Sequence, residues 1–389
     1  MANKRGNGEG SIYQIKDGTW KGAISIGRDI NGNIKRKTFS GKTRSEVNKK
    51  MKAYFADLEH GKVILNQNIN LQDWFIFWLE NYKVNNVKVG TIEMYHSLYK
   101  NYIKDKSIGI TKLSKLKTST LQVYYNQLIK DKVTTIKRLK YLNNIIGSSL
   151  NQAISEEYLL KNPCTNVAFP KIEKNEIDIF TYEEQKQFIK SLEETKDRFK
   201  TLYKFALGTG LRRGEILALK WSDIDFDKKE VSVTKSLKYA GKNELSNIDK
   251  ATFIMQTPKS ESSIRKVPIP SNLIKELREY KVLQTKEKLK NAVVYQDKGY
   301  VFAKEDGRPI EGQYLQRYYK KALQNAGIEY RKFHITRHTY ASRLIEKNVN
   351  LKVVQTLLGH SSLKMTSEIY AHVLPKQKID AVELLNDCI

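Results

Sequence analysis

Residues 334–373 read HITRHTYASRLIEKNVNLKVVQTLLGHSSLKMTSEIYAHV, and four of the six histidines of the chain fall inside this stretch. On a helix His334 and Arg337 stand three residues apart and share a face, so both can reach one anion. His338 points elsewhere and reads as a buried structural partner. Histidine clusters also bind zinc, but there is no HExxH spacing, the HITRH cluster contains no carboxylate, and an arginine inside it would repel a cation. The pattern therefore describes an anion site and argues against a metal.

Two stretches upstream carry related chemistry. TGLRRGE (209–215) places glycines and two arginines at the start of a helix. There the free backbone N–H groups and a fork-shaped guanidinium together make a seat for phosphate. Thr257-Pro258-Lys259-Ser260 precedes the alternating stretch Arg265-Lys266-Val267-Pro268-Ile269, which reads as a lysine carried on the turn of a β-hairpin. A lone lysine on a turn is usually only solvated, so Lys259 gains a role only from its company.

The whole chain agrees with an anionic partner. Its 389 residues contain 69 lysines and arginines against 42 aspartates and glutamates, a formal charge of +27. Each basic residue set on a nucleic-acid phosphate releases condensed counterions, so an excess of this size favours DNA or RNA. Two cysteines, Cys164 and Cys388, far apart and outside any CxxC pair, exclude a disulfide framework and a zinc finger and fit a reducing, cytoplasmic setting. The opening residues MANKRGNGEGS lack a signal-peptide core, and no run approaches the roughly 20 apolar residues that span a bilayer. The expectation is a cytoplasmic protein with no membrane partner.

The length suits two or three domains. Alternating segments Ser11 to Lys16, Thr19 to Arg28 and Asn33 to Phe39 are separated by Asp17-Gly18 and Asn31-Gly32, dipeptides suited to two-residue turns, and predict a three-stranded meander. Thr43-Arg44-Ser45-Glu46 has capping-box spacing and opens a helix ending near His60-Gly61. Residues 1–66 hold 14 lysines and arginines against 6 acidic residues, a net +8. That charge reads either as a DNA-reading sheet or as a solvated basic face. From residue 67 to 168 the period is helical: Trp74, Phe75, Trp78, Leu79 and Tyr82 form a core stripe, further helices follow at Thr91 to Ile103, Ser119 to Lys130 and Thr134 to Glu157, and Lys137, Arg138 and Lys140 offer phosphate contacts. Residues 169–179 read as an extended linker. Residues 180–389 form a mostly helical domain with a small antiparallel sheet, its strands at Glu230 to Lys238, Phe253 to Gln256 and Arg265 to Pro268. The fold class is multidomain α+β.

In their order, TGLRRGE, Lys259, HITRH, LLGHSS (357–362) and the tyrosine of EIYAHV (368–373) resemble one family closely, the tyrosine recombinases or phage-type integrases. The resemblance extends to the layout of sheet module, helical SAM-like core-binding domain and catalytic domain, which is similar to the integrases of conjugative transposons and related phages. It implies that Arg212 and Arg337 grip the scissile phosphate, that His334 and His360 complete the cradle, and that Tyr370 is the nucleophile. It further makes Lys259 the acid for the departing 5′ oxygen and Glu215 the residue that orients Arg212. Arg213 is an extra charge to which the resemblance gives no role.

The residue types support such chemistry. A tyrosine hydroxyl with a pKa of about 10 is a weak nucleophile and needs nearby cations or a base. Fixed arginines and histidines meet the charge that grows on the nonbridging oxygens, so neither metal nor other cofactor is expected. A 3′ phosphotyrosyl bond conserves the energy of the broken phosphodiester, and no Walker-type loop is present, so ATP is not expected either. The resemblance implies a homotetramer on two double-stranded DNA attachment sites, with an excisionase or a host DNA-bending protein as partner. The apolar pattern Ile379, Val382, Leu384, Leu385 in residues 374–389 suits a helix that docks on a neighbouring protomer or on its own domain. Alternative readings are a chromosome-dimer resolving recombinase, a noncatalytic DNA-binding regulator and a type IB topoisomerase.

Overall fold

The computed structural model describes residues 10–28, 34–59, 69–172, 178–242, 248–258 and 261–367. The chain divides into two compact units, residues 1–173 and, apart from 245–247, residues 174–389. The first unit contains two separate apolar cores.

The smaller core belongs to the meander. Strands β1 (Ser11–Gln14), β2 (Trp20–Arg28) and β3 (Ile34–Gly41) pair antiparallel in that order. The Asp17-Gly18 turn is one residue longer than expected: the Ile15 N–H donates to Thr19 O (2.9 Å), which encloses Lys16, Asp17 and Gly18, and only Gly18 takes a positive φ, +83°. The Asp17 carboxylate accepts from the Thr19 N–H (2.9 Å) and stabilises this three-residue loop. Asn31-Gly32 lies outside the described residues. Helix α1 (Arg44–Glu59) starts as the spacing predicts, with the Glu46 N–H donating to the Thr43 hydroxyl (3.2 Å). The Glu46 carboxylate accepts instead from the N–H of Lys42, one residue before the cap (2.9 Å). Ile24, Val47 and Met51 close the core, and a Cβ on Gly22 would collide with Met51 and Val47, so the helix lies directly on that strand.

The larger core is helical: α2 (Leu71–Trp78), extended by a π turn over Leu79–Lys83, then α3 (Val89–Tyr102), α4 (Thr118–Lys130) and α5 (Ile136–Ser155). The aromatic stripe is interior, as its period requires: Trp74, Phe75, Trp78 and Leu79 are buried, and the Trp74 indole donates to Ser149 O (2.9 Å). Tyr82 is only half-buried and donates its hydroxyl to the Glu156 carboxylate (2.9 Å). Burying a side chain such as Phe75 or Leu79 contributes roughly 1.5–3 kcal/mol, which explains why these rings serve packing.

In the second unit α6 (Tyr182–Glu194) starts with the full capping box of Thr181 and Glu184, and Glu184 also pairs with Arg331 (2.7 and 2.8 Å). Helices α7 (Lys200–Thr209) and α8 (Arg213–Ala218) follow. The strands then depart from expectation. Glu230 to Lys238 is two strands in two sheets: β4 (Ile224–Asp225), β5 (Glu230–Val233) and β8 (Arg265–Pro268) form one, while β6 (Ser236–Ala240) and β7 (Thr252–Gln256) form the other. The polar run Thr234-Lys235-Ser236 interrupts the alternation at the break, but Val231, Val233 and Leu237 stay in phase across it, so the period reads as one strand. Because β7 pairs with β6 and β8 with β5, the connection preceding Arg265 is not a hairpin turn. Lys259 itself lies outside the described residues.

Helices α9 (Ser271–Lys290), α10 (Gly312–Asn325), α11 (Ile335–Glu346) and α12 (Leu351–Leu358) complete the unit. Helix α11 packs on α7, and α12 packs on α11 through Ala341, Ile345, Val354 and Leu358. The buried Phe180 is tied to α11 at both backbone polar groups: its N–H donates to the Thr339 hydroxyl (3.0 Å), and its carbonyl accepts from Arg343 (2.7 Å).

Candidate active site

Helix α7 ends at Gly210, whose φ is +63° and whose N–H donates to Ala206 O (3.0 Å). The Tyr340 ring of α11 occupies the space that a Cβ on Gly210 would need, so glycine is required by both backbone and packing. This close approach puts Arg337, one helical turn before Tyr340, within reach of the same peptide, and its Nη1 donates to Gly210 O at 2.9 Å.

Arg212 stands just before α8 and is held at both ends by one carboxylate. Glu215 Oε2 accepts from the Arg212 N–H (2.9 Å) and Oε1 from its Nη1 (2.8 Å). Glu215 is buried and also receives Nη2 of Arg265 (3.0 Å). Burial opposes its ionisation, but the charge and hydrogen bond of Arg265, with the bonds from Arg212, outweigh burial and hold its carboxyl below the ordinary range.

These arginines meet at the end of α12. Leu357 O accepts from Arg265 Nε (2.7 Å), Leu358 O from Arg337 Nη2 (2.7 Å) and Gly359 O from Arg212 Nη2 (3.1 Å). The last carbonyls of a helix lack partners within it and carry partial negative charge, so they suit cations on both counts. Gly359 ends the helix at φ +63°, and the chain then delivers His360. Its N–H donates to Gln355 O (3.1 Å), its carbonyl accepts from Gln355 Nε2 (3.1 Å), and its ring Nδ1 is 3.0 Å from the Thr366 hydroxyl. With Nδ1 engaged, the nitrogen left to meet an anion is Nε2.

The electrostatics are those of a site awaiting negative charge. Burial, then the neighbouring Arg212, lowers Arg337 to about 9, still protonated at neutral pH. Burial, then Arg337 and Arg212, lowers His360 to about 3. His334 is lowered to about 4 by the protein packed around its ring, then by His338, Arg337 and Arg212, although the residue as a whole is exposed. A guanidinium has five N–H donors, and the bonds described take two of the side-chain donors of Arg212 and two of Arg337.

Arg212, Glu215, His334, Arg337 and His360 are thus drawn together, and Tyr370, like Lys259, falls outside the described residues. His338 departs from expectation. It is half-buried, and its ring is perpendicular to that of His334 with centroids 4.7 Å apart, because residues four apart on a helix share a face. Arg213 lies against Gly312, with Nη1 3.4 Å from its carbonyl, and takes no part in the cluster. Sequence reasoning missed Arg265. Its signal was available in the strand period, since Arg265 and Val267 are two apart and share the inward face of β8.

The Phage integrase family matches residues 178–377, half of the chain, and residues 70–129 match the phage integrase N-terminal SAM-like domain. The chain belongs to the phage integrase family. The recombinase is 43% identical over 385 residues to a protein named "Tyrosine recombinase XerC-like" from Caldanaerobacter subterraneus subsp. tengcongensis, covering 96% of this chain and 97% of that one. It is 30% identical over 253 residues to the ICEBs1 integrase of Bacillus subtilis, covering 64% and 66% of the two chains. The Tn1549 transposon integrase in complex with a circular intermediate DNA shares the fold, with a TM-score of 0.68 at 18% identity over 81% of this chain and 99% of that one. A lambda integrase bound to a COC′ core site does so with a TM-score of 0.55 at 19% identity, over 94% and 96%. The recombinase is accordingly a tyrosine recombinase, an enzyme that cleaves and rejoins DNA strands. No helix among its described residues is long and apolar enough to cross a membrane.

Proposed function

We propose that this recombinase integrates and excises a mobile element by cutting double-stranded DNA attachment sites through a 3′ phosphotyrosyl link to Tyr370. The observation that carries the reading is the convergence of Arg212 and Arg337 on adjacent carbonyls at the end of α12, beside His360. The two guanidiniums grip the nonbridging oxygens of the scissile phosphate, and His334 and His360 complete the cradle. A histidine of the cradle takes the hydroxyl proton of Tyr370 as the tyrosine oxygen bonds to phosphorus, the bond to the 5′ oxygen breaks, and Lys259 supplies the proton to that oxygen. Fixed cations stabilise the charge that develops in the transition state, so no metal, other cofactor or ATP is required. Two identical half-reactions, run by four protomers on two sites, exchange the strands, and an excisionase or a host DNA-bending protein sets the direction. The enzyme acts on the bacterial nucleoid, in the cytoplasm.

The mobile-element reading is supported by the ICEBs1 integrase among the relatives and by the basic, three-stranded module at the N-terminus, an added DNA-reading surface. Resolution of chromosome dimers by the same chemistry is the second reading, and the XerC-like name of the 43% relative favours it. Incubation of wild type and Tyr370→Phe with a nicked suicide DNA bearing an element end tests the chemistry. A covalent protein–DNA band on a denaturing gel is expected from wild type alone, in the presence of EDTA. Binding by both proteins with no band in either would refute the reading. Recombination of element ends against a chromosomal dimer-resolution site in a two-plasmid assay separates the two biological roles.

A further inference from the structure

We propose that Arg265 is a positioning residue of DNA cleavage: it fixes Arg212 through their shared Glu215 and ties that carboxylate to the end of α12 that delivers His360. The inference rests on the cleavage chemistry proposed above. Three hydrogen bonds define its place. Nη2 donates to Glu215 Oε2 (3.0 Å), Nε to Leu357 O (2.7 Å) and Nη1 to Ser263 O (3.0 Å). Glu215 belongs to the segment of Arg212, Leu357 lies three residues before His360, and Ser263 lies four residues after Lys259. One guanidinium thus fastens the Arg212 segment, the end of α12 and the approach to Lys259.

Arg265 is poorly placed to grip DNA itself. Its side chain is 5% exposed, against 34% for Arg212, and all three of its nitrogens already donate to protein acceptors. Stability is also a weak reason for its presence, because a buried ion pair rarely gains more than an apolar residue of similar volume would, and Arg265 stands on the inward face of β8 beside Val267. What an apolar residue could not do is divide the Glu215 carboxylate. Oε2 is shared between the Arg265 guanidinium and the Arg212 backbone N–H, so only Oε1 meets the Arg212 guanidinium, and Arg212 is oriented without being fully neutralised and keeps positive charge for a phosphate. Without Arg265, Oε2 loses its guanidinium partner and can turn to the guanidinium of Arg212, and the α12 carbonyls lose one of their three cations.

The experiment compares Arg265→Met and Arg265→Lys with wild type and Tyr370→Phe on two suicide DNAs, one with a normal scissile phosphate and one with a methylphosphonate there. The methylphosphonate lacks one nonbridging oxygen and its charge, so it asks less of Arg212. Arg265→Met is expected to cleave the phosphodiester at least about tenfold more slowly, with site affinity within about threefold of wild type, and to recover most of the deficit on the methylphosphonate. Arg265→Lys keeps a charge but cannot reach three acceptors and falls between. A deficit of equal size on both DNAs, or none on the phosphodiester, overturns the proposal. Should the methionine variant lack a cooperative thermal transition, the lysine variant decides by the same comparison. A wild-type band that is also present in Tyr370→Phe would refute the cleavage reading and this inference with it, whereas a wild-type band lost in Tyr370→Phe alongside normal Arg265 variants refutes only the inference.

Discussion

Arg337 donates to the carbonyl of Gly210 across 127 positions of chain, at 2.9 Å, and this bond joins the HITRH segment to the TGLRRGE segment inside the second unit. It exists because Gly210 adopts a left-handed conformation against the Tyr340 ring, which brings the backbone of one motif onto the helix of the other.

Gly210→Ala should therefore damage both structure and site. The left-handed penalty and the overpacking against Tyr340 together cost about 2–4 kcal/mol. Urea denaturation checks the stability, and the covalent-complex assay checks activity. A loss below about 1 kcal/mol would show that α7 can end without this glycine.

Glu215→Ala leaves two guanidiniums beside each other, one of them buried, without their carboxylate. Removing one partner of a buried ion pair costs about 3–5 kcal/mol, so this variant should be the less stable partner of Glu215→Gln, which retains acceptor capacity for one arginine. Thermal unfolding of the two variants gives the comparison, and equal melting temperatures would contradict it.

Acid should destabilise the DNA-free enzyme. Burial and the neighbouring arginines hold His360 well below the ordinary 6.5, at about 3, and the more exposed His334 is shifted in the same direction, so the unfolded chain binds more protons than the folded one as pH falls below 6.5. Stability is full above pH 6.5 and falls as pH drops from there towards 4 and 3. Glu215, whose folded value is also lowered, adds a loss in the same direction at pH values below its ordinary 4.5. Denaturation midpoints measured from pH 7.5 to 4.5 should decline less steeply in His360→Gln than in wild type. Phosphate bound beside these rings favours their charged forms, so DNA binding should take up protons, measurable by titration in two buffers of different ionisation enthalpy.

Exposed Lys137 on the first turn of α5 is a candidate phosphate contact. Lys137→Ala should weaken DNA binding alike on all sequences and reduce the slope of log affinity against log salt by about 1. Fluorescence anisotropy at several NaCl concentrations reads that slope, and an unchanged slope would remove Lys137 from the interface.

Much of this architecture is legible in the sequence. The capping box at Thr181, the meander and the helical stripe of Trp74 and Trp78 follow from side-chain chemistry and period, which act over a few residues. Errors arose where a local signal had two continuations. Val231, Val233 and Leu237 keep one phase across the polar run Thr234-Lys235-Ser236 where the chain changes sheets, and Asp17-Gly18 suits a two-residue or a three-residue loop. The spacing of four in HITRH places the rings of His334 and His338 together rather than on separate faces.

The order of the candidate site residues and the helix that carries Arg337 were written in the chain, because both depend on near neighbours, whereas the need for glycine at 210 comes in part from the distant Tyr340 ring. The meeting of Arg212, Arg265 and Arg337 on three successive carbonyls was not written there. It depends on where α12 ends relative to α7, α8 and β8, and that placement is set by packing among distant segments, with Arg265 and Arg212 standing 92 and 147 positions from their carbonyl partners, for which neither period nor motif spacing carries information.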